Sequence, residues 1–547
     1  MAYLTQTKEG QPVLILKEGT TRNRGKEAQK NNIMAAKIIA EAIRSTLGPR
    51  GMDKMIVDSL GDITITNDGA AILDEIDVQH PAAKMIVEVA KTQDDMVGDG
   101  TTTSVVLAGE LLKMAEEMLE QNIHPTIIVE GYRKAAQKAL EVLDKIGQNV
   151  DLNDKDILKK ASKTAMGSKA VGAAKEHFAE IAVNAINQIA EEIGDKWNVD
   201  LDNIQIVKKV GKSLQDTELI KGIILDKEVA QSGMPRSVKQ AKIALIDIAL
   251  EVKKTEVSSQ IRINDPSQIM GFLDKETSIL RKMVDKIKKS EANVLISQKS
   301  VDDTVKYFLS KEGILAVISV KESDMKKLSR ATAGKVVTNL DDIRSEDLGY
   351  AELVEERKIG DDKMVFVEGC KNPKSVSILI RAGLERMVDE AERIMHDVLS
   401  VVADIYKKPR IVAGGGATET ELAKQLRDYA VQIGGREQLA VESFAKSLEI
   451  IPKTLAENAG LEQIDILVNL RSSHEKPKGQ FMGVEVFTGD ITDMIKNGVI
   501  EPLNVKEQAI KSASEAATMI LRIDDVISGG KTEGPPGGGQ GGMPPGY

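Results

Sequence analysis

The chain has 547 residues, of which 41% are hydrophobic and 29% charged, a length that exceeds one ordinary core and predicts two or more globular domains. Acidic side chains outnumber basic ones by 84 to 74, for a formal charge of −10. This balance argues against a nucleic-acid partner, because phosphate contact needs clustered Lys and Arg. Cys370 stands alone and there are five histidines, so an intrachain disulfide framework and a Cys/His zinc cluster are both excluded. A reducing compartment fits. The apolar run at 13–16 is too short for a signal segment or a membrane span. A cytoplasmic protein with no membrane partner is expected.

Helical patterns dominate the first part. Ile33, Ala36, Ile39, Ile43 and Leu47 recur at helical spacing over residues 26–47, and Gly48-Pro49 stops that helix. Residues 55–57 and 63–66 read as a hairpin with its turn at 59–62. His80-Pro81 opens a helix to about residue 93, Gly98-Asp99-Gly100 breaks it, and residues 101–112 begin the next. The middle differs: residues 240–252, 294–297, 314–318 and 336–337 are short apolar runs separated by helical stretches such as 277–289. That alternation predicts an α/β domain inserted into a helical domain built from both chain ends. The stretch 529–547 is rich in Gly and Pro and predicts disorder.

Two phosphate-binding patterns are deceptive. Gly537, Gly539 and Gly542 match GxGxxG within low-complexity sequence, with no strand before and no helix after. Gly530-Lys531-Thr532 imitates the end of a P-loop, but the first glycine of that motif falls on Asp525.

The segment Gly98-Asp99-Gly100-Thr101-Thr102-Thr103 carries more chemistry. Glycines let backbone amides approach an anion, and a new helix offers free N–H groups and a positive dipole end. Asp99 is a hard oxygen ligand suited to Mg²⁺. The same six residues also read as a Thr-capped helix after a Gly turn. Leu47-Gly48-Pro49 reads as a helix stop. Asp68, in Thr66-Asn67-Asp68-Gly69, reads as an N-cap or turn residue. Gly414-Gly415-Gly416 follows a strand-like run, and Thr418 with Glu421 forms a capping-box pattern; this unit is either a nucleotide approach or a tight turn. Asp397 lies on a helix over about 384–406, at the flank of a stripe of Leu384, Met387, Ala391, Ile394, Val398 and Val402. Locally it predicts a surface pair with Arg393.

Taken together, several segments resemble one family. They are 47–55 (Leu-Gly-Pro-Arg-Gly-Met-Asp-Lys-Met), Thr66-Asn67-Asp68-Gly69, His80-Pro81, 98–103, His124-Pro125-Thr126, 414–416, 455–460 (Leu-Ala-Glu-Asn-Ala-Gly) and 497–502 (Asn-Gly-Val-Ile-Glu-Pro). They follow the order found in group II chaperonins, the archaeal thermosomes and their eukaryotic cytosolic relatives, and the likeness extends over roughly residues 25–528.

The resemblance implies a multidomain α/β fold. A mostly α-helical equatorial ATPase domain would comprise 1–152 and 414–528, and a small α/β intermediate domain 153–222 and 379–413. An α/β apical domain would comprise 223–378, with a helical lid protrusion at about 253–276. Asp265 would be the N-cap and Pro266 the first turn of the lid helix.

The resemblance also implies ATP and Mg²⁺ as cofactors. Leu47, Gly48 and Pro49 match the loop that approaches the nucleotide. Asp99 matches the Mg²⁺ ligand, Gly100, Thr101, Thr102 and Thr103 the phosphate cradle, Gly415 a ribose- and base-side contact, and Glu501 the acidic residue that meets the ribose. Asp397 matches the carboxylate that orients the attacking water, Asp68 a second acidic residue near the γ-phosphate, and Lys169 a lysine that senses it. Implied partners are unfolded or misfolded client proteins and other subunits in a homo- or hetero-oligomeric double ring, a 16-mer or 18-mer. A hydrolysis-weak ring member and an unrelated ATP-dependent small-molecule enzyme are the competing readings.

Overall fold

A computed structural model describes residues 3–6, 12–15, 21–58, 61–169, 171–194, 196–252, 266–370 and 373–528. Three large apolar cores organise most of them. The first draws Ile33, Ile86, Leu111 and Tyr132 from the early helices and Phe444, Leu448 and Ile520 from the last ones. Helical periodicity explains this core. The helices Gly25–Arg44, Pro81–Val97, Thr101–Glu120, Pro125–Ile146 and Leu503–Leu521 each bury apolar residues three and four apart. At its centre the rings of Tyr132 and Phe444 meet edge to face at 5.6 Å. The Tyr132 hydroxyl donates to the Leu111 carbonyl at 2.8 Å, so no polar atom of that ring is stranded. The strand Thr21–Arg24 pairs antiparallel with Asp525–Ser528, a second tie between the two ends.

The second core joins Leu158, Phe178 and Ile186 to Ile378, Val398 and Val402, again from distant parts of the chain. The third is continuous in sequence and includes Ile243, Leu295, Leu315 and Val367. Its sheet has the order Gly222–Leu225, Asp362–Glu368, Gly349–Ile359, Ser237–Ile246, Val294–Ser297, Leu315–Val317, with Val336–Val337 also paired to Ser237–Ile246. Ile243–Ile246 runs parallel to Val294–Ser297, with the helix Pro266–Lys289 lying between the two strands in sequence, and Val336–Val337 is also parallel to it, whereas Gly349–Ile359 is antiparallel. The expected α/β middle and its flanking helices are therefore present.

Several boundaries differ from expectation. The strand expected over 240–252 is Ser237–Ile246 and stops before Asp247. The helical stretch expected over 277–289 and the helix expected to start at Pro266 are one continuous helix, Pro266–Lys289. Asp265, most of the lid segment (253–265) and the Gly/Pro-rich stretch 529–547 lie outside the described residues. Leu384 and Met387 do not belong to the buried stripe of the helix Glu385–Lys407. Leu384 is an extended N-cap residue and is exposed, and Val388 takes the buried place.

That helix also buries a second carboxylate. Asp404 is 2% exposed. Its Oδ1 lies 3.4 Å from Lys407 Nζ, and its Oδ2 has no hydrogen-bond partner. Burial pushes this carboxyl up to about 6, against an ordinary 3.8, with Lys407 opposing only in part. The folded chain therefore holds the proton more tightly than the unfolded chain. The resulting penalty is absent at low pH and grows from about pH 4 to about pH 6, reaching about 3 kcal/mol. Asp404→Asn is expected to match wild type in denaturant midpoint near pH 4 and to exceed it progressively up to pH 6 and above. Parallel pH profiles for the two proteins would refute this.

Candidate functional site

The turn at 98–103 is built by constraints from three directions. Gly98 and Gly100 both have left-handed backbone, with φ of 67° and 79°. A Cβ on Gly98 would stand 2.3 Å from Ser400 Cβ, so only glycine lets this turn meet the helix that carries Asp397. Gln93 Nε2 donates to the carbonyls of Asp99 at 2.8 Å and Val505 at 3.2 Å, tying the turn to the final helix. The helix Thr101–Glu120 then starts with Gly100 as its N-cap residue. Its first-turn N–H groups have no intrahelical acceptors and point back toward the turn.

Asp68 caps the helix Gly69–Glu75, as its local sequence predicts: Oδ2 accepts from the Ala71 amide at 2.8 Å. Its other oxygen, Oδ1, accepts from the Thr101 hydroxyl at 3.2 Å. A Cβ on Gly69 would meet Thr102 Oγ1 at 2.7 Å, so the two helix starts are in close contact. Asp99 Oδ1 accepts from the Gly100 amide at 2.7 Å. Closely surrounding protein raises the Asp99 carboxyl above its ordinary range, against the opposing pull of Lys169, the Gly100 amide and Lys506.

Leu47, Gly48 and Pro49 follow the first helix. The Leu47 carbonyl accepts from Asn458 Nδ2 at 2.8 Å, and a Cβ on Gly48 would stand 2.2 Å from Leu455 Cδ2. The 455–460 motif thus holds the 47–49 loop in place. Gly415 follows the strand Arg410–Ala413, which pairs with Ile500–Pro502 so that Val412 lies opposite Glu501.

These parts enclose one cavity of about 210 Å³. Leu47, Gly48, Pro49, Asp68, Asp99, Gly100, Thr101, Thr102, Thr103, Lys169, Gly415 and Glu501 all line it. Asp397 does not. It lines an adjoining cavity with Asp68, and its Oδ2 is ion-paired to Lys169 Nζ. Both side chains are buried. The surface pair expected between Asp397 and Arg393 is therefore absent; Arg393 Nη1 donates to Glu390 Oε2 at 3.1 Å instead. The capping box expected at Thr418 and Glu421 is also absent. The Thr418 hydroxyl donates to the Ala413 carbonyl at 2.8 Å, and Glu421 Oε2 lies 2.9 Å from His474 Nδ1. Both side chains are claimed by residues outside the helix start, so neither is free to cap it.

Gln93, Glu419, Asn458 and Lys506 were not legible as site residues. Their partners lie far along the chain or in the backbone, and nothing in their spacing marks them.

The donor set suits a magnesium-bound phosphate chain. Helix-start amides and threonine hydroxyls would supply donors to phosphate oxygens, and Asp99 would supply a hard carboxylate to the ion. Among the described residues no three His, Cys, Asp or Glu side chains are grouped to hold a metal by themselves. Among the described residues no helix is long and apolar enough to cross a membrane.

A split helical body, an inserted α/β body and a glycine–aspartate–threonine turn at a helix start define a class of protein, and comparison with known proteins identifies it. The profile of the TCP-1/cpn60 chaperonin family matches residues 39–531. The chain is 59% identical to thermosome subunit beta of Thermococcus kodakarensis over 533 residues, covering 97% of each protein. It is 58% identical to thermosome subunit beta of Sulfurisphaera tokodaii over 537 residues, 98% of this chain and 97% of that protein. It is 58% identical to a thermosome subunit of Pyrococcus horikoshii over 524 residues, 96% of this chain and 95% of that protein. The chain belongs to the TCP-1/cpn60 chaperonin family.

Proposed function

We propose that this chaperonin chain is a cytoplasmic ring subunit that hydrolyses ATP with Mg²⁺ and uses the resulting motion to enclose non-native proteins. One observation carries the reading. Asp99, Asp68, Thr101–Thr103 and Lys169 converge on a single cavity, and Asp397 stands directly behind Lys169.

In this reading Mg²⁺ neutralises charge on the phosphate chain when bound. The N–H groups of Thr101–Thr103 and their hydroxyls bind phosphate oxygens. Asp99 ligates the ion, with Asp68 as the nearby second carboxylate. Glu501 and Gly415 face the sugar end. Asp397 orients water and accepts its proton once Lys169 releases it. Hydrolysis then waits on a rearrangement of the helix Glu385–Lys407, the step that couples chemistry to shape.

The parts implied by the family serve as the working division: equatorial 1–152 and 414–528, intermediate 153–222 and 379–413, apical 223–378 with a lid at about 253–276. Met270 and Leu273, in the described part of the lid segment, are exposed. Exposed apolar side chains of this kind suit non-native clients. The assembly is a double ring of sixteen or eighteen subunits.

The test is the native mass of the purified chain with Mg²⁺ and ATP, together with phosphate release. Double rings that release phosphate are expected. A persistent monomer that releases none would sink the proposal.

A further inference from the structure

Three charged side chains meet at one wall of the cavity, and two of them, Glu501 and Lys506, line it. Lys506 lies in the first turn of the helix Leu503–Leu521 and is 6% exposed. Its Nζ is 2.7 Å from Glu419 Oε1 and 2.7 Å from Glu501 Oε2. Glu419 is buried in the first turn of the helix Ala417–Ile433. Glu501 sits in the strand Ile500–Pro502 and lines the cavity.

The two oxygens of Glu501 have different surroundings. Oε2 is tied to Lys506. Oε1 lies over Gly414, where a Cβ would stand 3.0 Å from it. The missing side chain at 414 leaves room for that oxygen at the edge of the glycine turn. Without Lys506 the carboxylate would be free to rotate, because among the described residues no other side chain holds Oε2.

A Glu–Lys–Glu set with Lys506 and Glu419 buried and Glu501 half-buried is a poor way to gain stability, since desolvating the charges offsets most of their attraction. Fixing a geometry is a better-attested use for such a set. We infer that Lys506 and Glu419 are positioning residues. They hold Glu501 so that Oε1 accepts a hydrogen bond from a sugar hydroxyl, and they thereby set a preference for ribonucleotides over deoxy analogues. The inference rests on the nucleotide reading above. A hydrogen bond to a charged acceptor corresponds to about a 10- to 100-fold preference for a ligand that carries the hydroxyl.

The test titrates the assembled full-length chain with Mg²⁺ and ATP, 2′-deoxy-ATP or 3′-deoxy-ATP, and reads dissociation constants by calorimetry. Wild type is expected to favour ATP over at least one deoxy analogue by about 10- to 100-fold. Lys506→Met is expected to weaken ATP to the level of that analogue while barely changing the analogue itself. Gly414→Ala is the second variant. It crowds Oε1 without removing a charge, and the atoms it meets, Glu501 Oε1 and Val499 Cγ1, are side-chain ends that can shift. It keeps the test open if Lys506→Met fails to assemble.

A merely structural role would weaken all three ligands alike, and that result overturns the inference. So does a wild type that binds all three equally, or variants that keep the full preference. A wild type that binds none of them removes the ATP reading itself and this inference with it.

Discussion

Asp397→Asn is expected to slow phosphate release by about 10²- to 10⁴-fold, the range typical of losing a general base, while nucleotide binding persists. Two effects are folded into that variant. It removes the proposed proton acceptor, and it leaves the buried Lys169 ammonium without its carboxylate. Breaking one side of a buried pair costs about 3–5 kcal/mol, so a loss of activity could reflect local damage alone. The double variant Lys169→Met/Asp397→Asn separates the two. Removing both charges relieves the unpaired ammonium, so its thermal midpoint is expected to recover toward wild type. Its phosphate release should stay as low as in the single variant. If the double variant regains turnover together with stability, Asp397 is a structural partner of Lys169 and not the base.

The contrast between Asp68 and Asp397 shows what the sequence could and could not disclose. An N-cap is a local device: the side chain bonds an amide three residues on. Asp68 was therefore readable from Thr66-Asn67-Asp68-Gly69 alone. Asp397 pairs with a residue 228 positions away, and a helical wheel reports only its own helix. Spacing placed Asp397 on a surface flank with Arg393, whereas packing against the Lys169 segment buries it. Thr418 and Glu421 failed for the same reason, because Ala413 and His474 claim them first.

Periodicity located the helices and the α/β middle, since apolar spacing is dictated by the core each element faces. The helix-rich flanks also predicted one helical domain built from both chain ends, and the first and last helices do share one core; which side chains meet there was not legible. Family likeness supplied the grouping of the cavity residues, and Lys506 and Glu419 escaped both routes. They carry no motif, and they matter through the orientation of Glu501.

Asp99→Asn is expected to have the second large effect. Losing even an outer partner of a metal ligand typically costs about 10- to 100-fold in metal affinity, so losing the only carboxylate in the 98–103 turn should cost at least about 100-fold in the Mg²⁺ dependence of nucleotide binding. The same change should not lower the stability of the chain without nucleotide. Burial already disfavours the ionised Asp99 carboxylate, and the amide oxygen of asparagine can still accept from the Gly100 amide that Asp99 Oδ1 now engages. Side-chain volume is nearly unchanged, so the turn against Ser400 and Gln93 is preserved. The paired readouts are thermal midpoint without nucleotide and its rise on adding Mg²⁺ and ATP. Wild type should show a large rise by mass action. Asp99→Asn should start no lower and rise little. A variant that melts well below wild type before any ligand is added would assign Asp99 to holding the turn together. A variant that keeps the full Mg²⁺-dependent rise would remove it from the metal site.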